Sequence, residues 1–164
     1  MKEKKLISVI LYLYNNENTV LEFLDLIIEQ TDKLFEQFEI IIVNDCSKDN
    51  TEEAILKYIE THPDMSIQYF KHEVNKGKGA ALHSGIKKAT GEYVIVQDAD
   101  LEYDPEEYSI LLKPVLDGYA DVVFGSRFVG GKPHRILFFW HTVGNKFLTF
   151  LSNLFTNLNL TDME

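Results

Sequence analysis

Two hydrophobic periods take turns along this chain. Residues 6–13 are an almost unbroken apolar run, the pattern of a strand buried on both faces. Polar residues 14–18 break it, after which Leu21, Leu24, Ile27, Ile28 and Leu34 recur at helical spacing. Residues 38–43 read as a second strand. Ala54, Ile55, Tyr58 and Ile59 mark a second helix that ends before Pro63. Residues 66–70 give a third strand, and a glycine-containing loop from Asn75 leads into a helix that Gly91 is expected to stop. Residues 93–97 are the fourth strand. Asp104 as cap, Pro105 in the first turn and the glutamates after it open a helix that runs to near Gly118. Residues 121–125 have the composition of a fifth strand. Strand and helix alternate throughout, which predicts one three-layer αβα domain with a mostly parallel sheet and right-handed crossovers.

After Gly130 and Gly131 the character changes. Residues 135–158 gather Phe138, Phe139, Trp140, Phe147, Phe150 and Phe155, interrupted by His141, Gly144, Asn145, Lys146, Ser152 and Asn153. Apolar and polar residues can separate onto two helix faces. That leaves a helix packed in the core and a helix lying on a membrane surface as open readings, with a homo-oligomer as a third way to cover the aromatic side. The expected division is a binding core over residues 1–130 and an amphipathic segment over 131–164. The last residues carry no Gly or Pro terminator, so a C-terminal truncation is expected.

Composition narrows the function classes. An apolar share of 45% and a charged share of 26% describe an ordinary soluble domain. A formal charge of −10 argues against a nucleic-acid partner, which asks for a basic face. It leaves phosphate ligands open, since a metal and a few local cations reverse the sign at one site. The one cysteine, Cys46, rules out an internal disulfide and suits a reducing compartment. Residues 6–13 are too short for a secretory signal and end in polar residues, so a cytoplasmic setting is expected.

The candidate chemistry gathers where strands end. In open α/β sheets, ligands bind outside the carboxyl ends of the strands. The fourth strand runs into Gln97, Asp98, Ala99 and Asp100. Carboxylates at i and i+2 of an extended segment point the same way. Two hard oxygen donors aimed at one spot suit Mg²⁺ or Mn²⁺, ions that bind substrate phosphates. Two further polar clusters, Tyr14 to Glu17 and Asn44 to Ser47, follow the first and second strands. Lys76, Gly77, Lys78 and Gly79 form a loop that lets backbone approach a ligand closely but lacks the Walker pattern. Arg127 directly follows the expected fifth strand, and its fork of donors suits phosphate oxygens.

In this combination the chain resembles family 2 glycosyltransferases of the GT-A fold, Rossmann-like nucleotide-diphospho-sugar transferases, and within them the dolichyl- or polyprenyl-phosphate sugar synthase branch. The opening strand with Tyr14, Asn15 and Glu17 resembles the family's first motif. The stretch through Asn44, Asp45, Cys46, Ser47 and Asp49 to Thr51 resembles its second. The Asn75–Ala80 loop, the Gln97–Glu102 stretch, Gly125 to Phe128, Gly144 with Asn145, and Leu160 to Glu164 match further motifs. Tyr12, Asn16 and Asn44 depart from the usual pattern. The resemblance implies a metal-dependent, inverting transfer from a nucleotide-diphosphate sugar to a lipid phosphate or a cell-envelope glycan, at the inner face of the cell membrane. Tyr14, Asn15, Glu17, Asp45, Lys76, Gly77, Lys78, Gln97, Asp98 and Ala99 would hold the donor. Asp100, with Asp98, would bind the metal, while Arg127 and Asp162 would serve the acceptor. A sugar-nucleotide pyrophosphorylase would want a Gly-rich loop where Tyr14 to Glu17 stand. A phosphatase with an Asp nucleophile would carry its Asp pair after the first strand. A non-catalytic sugar-nucleotide-binding module is the remaining alternative.

Overall fold

The apolar run at residues 6–13 becomes a strand longer than its apolar part: β1 spans Glu3–Leu13. The structure, a computed structural model, describes residues 3–99, 104–126 and 139–162. β1 pairs in parallel with β2 (Phe35–Asn44) along one edge and with β4 (Tyr93–Asp98) along the other. β3 (Ile67–Lys71) adds to β2, giving an all-parallel sheet of order β3-β2-β1-β4. With neighbours on both edges, Ile7, Val9, Ile10, Leu11 and Leu13 are wholly buried.

The helices bury part of the faces that their spacing marks. α1 (Val20–Leu34) buries Val20, Phe23, Leu24, Ile27 and Thr31, and α2 (Thr51–Thr61) buries Thr51, Ile55 and Tyr58. Leu21 is exposed, whereas Ile28, Leu34, Ala54 and Ile59 are partly covered. α3 (Lys78–Ile86) turns Ala81 and Gly85 to the sheet, against Ile10, Ile41 and Val43. A Cβ on Gly85 would lie 2.6 Å from Cγ2 of Ile10, so only glycine allows this approach. α3 ends at Ile86, short of Gly91. Gly91 instead serves the turn into β4, where its N–H donates to Oγ of Ser8 at 2.8 Å.

Topology fixes where a ligand fits. The chain steps outward from β1 through β2 to β3, then returns to β4 on the far side of β1. Right-handed crossovers put α1 and α2 on one face and α3 on the other. The direction reverses between β1 and β4, and the crevice outside such a reversal is the binding place of doubly wound sheets. Register brings Tyr12 beside Asp98, Leu13 beside Asn44, and Asn44 beside Lys71 at this same edge.

The opposite edge is tied by a buried carboxylate. Glu39 accepts from Ser8 Oγ at 2.6 Å, Thr90 N at 2.7 Å, Thr90 Oγ1 at 2.9 Å and Gln68 Nε2 at 2.9 Å. One side chain thereby joins β1, β2, β3 and the turn before β4.

The described residues fall into two compact units, one up to Ser109 and one from Ile110. Asp104 caps as its sequence predicts, accepting from Glu106 N at 2.9 Å, over a short 3-10 turn (Pro105–Glu107) that leads into α4 (Tyr108–Leu116). The expected fifth strand at 121–125 does not form: these residues pair with no strand, and Val122 and Phe124 are exposed. An apolar, β-branched run becomes a strand only where a neighbour and a covered face receive it. The second unit also contains α5 (Phe139–Thr156).

Candidate functional site

Two loops at the carboxyl edge are knitted together. Asn15 (φ 57°) and Cys46 (φ 63°) both take left-handed backbone, which turns the chain sharply as β1 and β2 end. Asn15 N donates to Ser47 Oγ at 3.0 Å, and Lys48 N returns a bond to Asn15 Oδ1 at 2.8 Å. Asn16 N donates to Thr51 Oγ1, and Glu17 N to Asp49 Oδ2. Glu17 Oε2 accepts from Asn50 N, at the start of α2, at 2.8 Å. Asn16 Nδ2 donates to Ala99 O at 3.3 Å, joining the β4 end to the same knot. Tyr14 stands half-exposed beside it. The expected donor-binding residues Tyr14, Asn15 and Glu17 thus lie on one preformed rim, shaped partly by Ser47, Asp49 and Thr51.

Asp45 is wholly buried beneath the glycine loop. Its Oδ1 accepts from Lys76 N at 2.9 Å and its Oδ2 from Gly77 N at 2.7 Å. His72 Nδ1 donates to Oδ1 at 2.7 Å. Burial is the largest influence and would raise the pKa, but the bonds from Lys76, His72 and Gly77 outweigh it and hold the carboxyl below its ordinary value. Gly77 has φ +83°, a conformation that glycine supplies freely. Asp45, Lys76 and Gly77, each expected to hold the donor, are bonded to one another, and these bonds fix the path of the loop.

Lys78, the first residue of α3, forms an ion pair with Oδ2 of Asp98. Asp98 Oδ1 is buried with no hydrogen-bond partner. A buried carboxylate oxygen left unpaired is costly unless something fills the gap. Gln97 beside it is fixed, accepting from Tyr108 O–H at 2.8 Å and donating to Asp98 O at 2.9 Å. Tyr12 lies between the carboxylates: burial first, then the charges of Asp45 and Asp98, push its pKa up, with Lys78 opposing.

The lone Oδ1 of Asp98 is a hard oxygen donor and fits a divalent cation. Among the described residues no three His, Cys, Asp or Glu side chains gather as a ligand set. Asp100 and Arg127, the expected metal ligand and acceptor residue, lie outside the described residues.

In the second unit, Asp162 is buried and accepts from Asn145 Nδ2 at 2.9 Å. Thr149 Oγ1 donates to Asn145 Oδ1, and Asn153 exchanges two bonds with the backbone of Leu160. α5 therefore turns a polar stripe inward. Its aromatics face out: Phe139, Trp140, Phe147, Phe150 and Phe155 are all more than half exposed. Among the described residues no helix is long and apolar enough to cross a membrane.

His72 and Ser84 went unnoticed in the sequence, although His72 directly follows β3 and so obeys the same strand-end rule as the other clusters.

Known proteins carry the same pattern. The profile described as Glycosyl transferase family 2 matches residues 8–162. The chain is 35% identical over 139 residues to a dolichyl-phosphate beta-glucosyltransferase of Trichomonas vaginalis, covering 79% of this chain and 42% of that protein. It is similar to the mannosyltransferase PcManGT from Pyrobaculum calidifontis in complex with GDP-Man and Mn²⁺, with 33% identity, a TM-score of 0.55, and coverage of 60% of this chain and 28% of that one. It is also similar to S. aureus TarS 1–349 in complex with UDP-GlcNAc, with 29% identity, a TM-score of 0.56, and coverage of 72% and 32%. The chain spans less than half the length of each of these.

Proposed function

Because the chain belongs to glycosyl transferase family 2 and has the GT-A fold, we propose that it binds a nucleotide-diphosphate sugar at the β1–β4 crevice and transfers the sugar, with inversion, to a lipid phosphate or a glycan. The observation that carries this reading is the buried, unpartnered Oδ1 of Asp98 at the topological switch point, with Lys78 against the other oxygen. Tyr14, Asn15, Glu17 and the Asp45-held loop frame the nucleoside, and Lys76 and Lys78 meet the diphosphate. Asp98 and Asp100 hold a divalent ion, Mg²⁺ or Mn²⁺, which when bound neutralises charge on the departing diphosphate. An acceptor oxygen attacks the anomeric carbon as the bond to the diphosphate breaks on the opposite side. A lipid phosphate is already anionic, so the attack needs no strong base. Arg127 is the natural partner for that phosphate, and Asp162, fixed by Asn145, orients the acceptor. The relative from Trichomonas vaginalis acts on dolichyl phosphate by its name, which supports a lipid-phosphate acceptor here. The outward aromatic face of α5 supports delivery of that acceptor at a membrane surface.

Calorimetric titration of UDP and of GDP, with and without Mn²⁺, tests the donor site. Asp98→Asn and Asp100→Asn should each lose at least about tenfold of the Mn²⁺-dependent affinity, the cost of one charged contact, with far-ultraviolet circular dichroism unchanged. Equal affinities in all three proteins would sink the assignment.

A further inference from the structure

We infer that His72 and Ser84 are positioning residues for the donor loop, acting on it through Asp45. The inference rests on the donor site proposed above and adds to it residues that touch neither donor nor metal.

The loop from Val74 to Lys76 is exposed, so little apolar burial holds it. Its place is set by hydrogen bonds, and most of these converge on Asp45. Lys76 N and Gly77 N donate to the two carboxylate oxygens, and Asn75 Oδ1 offers Gly77 N a second acceptor at 3.1 Å. A carboxylate turns easily about its last torsion, which is broad and two-fold. Something must hold its plane towards both amides at once.

His72 does this from a fixed position. Its backbone N–H donates to Asn44 O at 2.9 Å, extending the β2–β3 pairing by one residue. Its ring is then held at both nitrogens: Nδ1 on Asp45 Oδ1 at 2.7 Å, Nε2 within 2.9 Å of Ser84 Oγ. Ser84 lies on α3, and its one hydroxyl proton goes either to Nε2 of the neutral ring or, when Nε2 itself donates to Oγ, to Ala80 O at 3.0 Å, so the contact with the ring is kept in both cases. The imidazole thus ties the ends of β2 and β3 to the body of α3. The first residue of that helix is Lys78, whose ammonium meets Asp98. One connected path of side chains runs from Ser84 through His72 and Asp45 to the loop amides. The ring fixes where the loop and its lysines stand relative to the crevice.

The test combines a readout that needs no ligand with one that does. Amide hydrogen exchange of Lys76 and Gly77, and affinity for UDP and GDP with Mn²⁺, are compared in wild type, His72→Ala, His72→Asn and Ser84→Ala. His72→Ala should speed exchange at both amides and weaken the bound nucleotide about tenfold, as expected for losing one bond to a charged group. His72→Asn, whose side-chain N–H falls near that of Nδ1, should recover most of both losses. Ser84→Ala should show a smaller loss in the same direction. Unchanged exchange in His72→Ala overturns the inference while leaving the donor site standing. So does faster exchange with undiminished affinity. Failure of the wild type to bind either nucleotide overturns the donor site and the positioning role with it, whatever the exchange shows. If His72→Ala does not fold, unchanged exchange in a folded Ser84→Ala overturns the inference.

Discussion

At the scale of the residue, Asp45, Asp98 and Glu39 do different work because their partners differ. Asp45 is saturated by backbone and imidazole donors, whereas Asp98 has one lysine and one bare oxygen. Asp45→Ala should release the Lys76–Gly77 loop and weaken UDP or GDP binding by about tenfold or more. It should leave the proposed dependence on Mn²⁺ in place; an unchanged dissociation constant for both nucleotides would move the proposed pocket elsewhere. Glu39 works on stability. Burial would raise its pKa, but the bonds from Ser8, Thr90 and Gln68 outweigh that and lower it. A carboxyl with a lowered native pKa stabilises the fold fully above the ordinary glutamate range, and that stability is lost as pH falls through the native value. Glu39→Gln should cost about 1–3 kcal/mol at neutral pH and flatten the acid limb of the stability curve. Urea titrations of both proteins at several pH values check the two effects together.

At the scale of the element, the central strands and helices were legible because their apolar periods are strong and their ends carry Asn, Asp, Gly or Pro. The 121–125 run misled, since its composition suits a strand but no pairing receives it. α5 was half legible: the periodicity announced two faces, but nothing in it said that the face with Asn145, Thr149 and Asn153 would be the inward one. Hydrogen bonds to residues 160–162 decide that, and they depend on tertiary placement. The same limit hid His72, whose role appears only when β3, α3 and Asp45 meet. α3 makes the sharpest packing prediction. Gly85→Ala forces a methyl onto Ile10 and should destabilise the fold by about 1–3 kcal/mol through overpacking, read as a lower denaturation midpoint with an unchanged slope. For α5, Trp140→Ser with Phe147→Ser should abolish flotation of the protein with liposomes. If wild type itself does not float, the membrane reading fails and sedimentation should be used to look for a dimer.

At the scale of the whole molecule, net charge separates two kinds of surface attachment. A chain of −10 charge gains nothing overall from anionic lipid, so vesicle binding is expected to come from the apolar face of α5. Flotation should then persist, or strengthen, as salt rises from about 0.05 to about 0.5 M, where charge-driven contacts are screened. Loss of binding at high salt would assign it to local basic groups instead. The strand order also shapes how the chain is born. Ile7 pairs with Phe38 on one side and with Tyr93 on the other. At translation rates of about 5–20 residues per second, roughly several seconds separate the emergence of β2 from that of β4. Throughout that interval β1 has one partner and one open edge, the form in which a strand recruits its neighbours. A ribosome making this chain therefore presents a sticky half-sheet, and crowded polysomes or a shortage of chaperones should hurt its yield well before any defect shows in the finished protein.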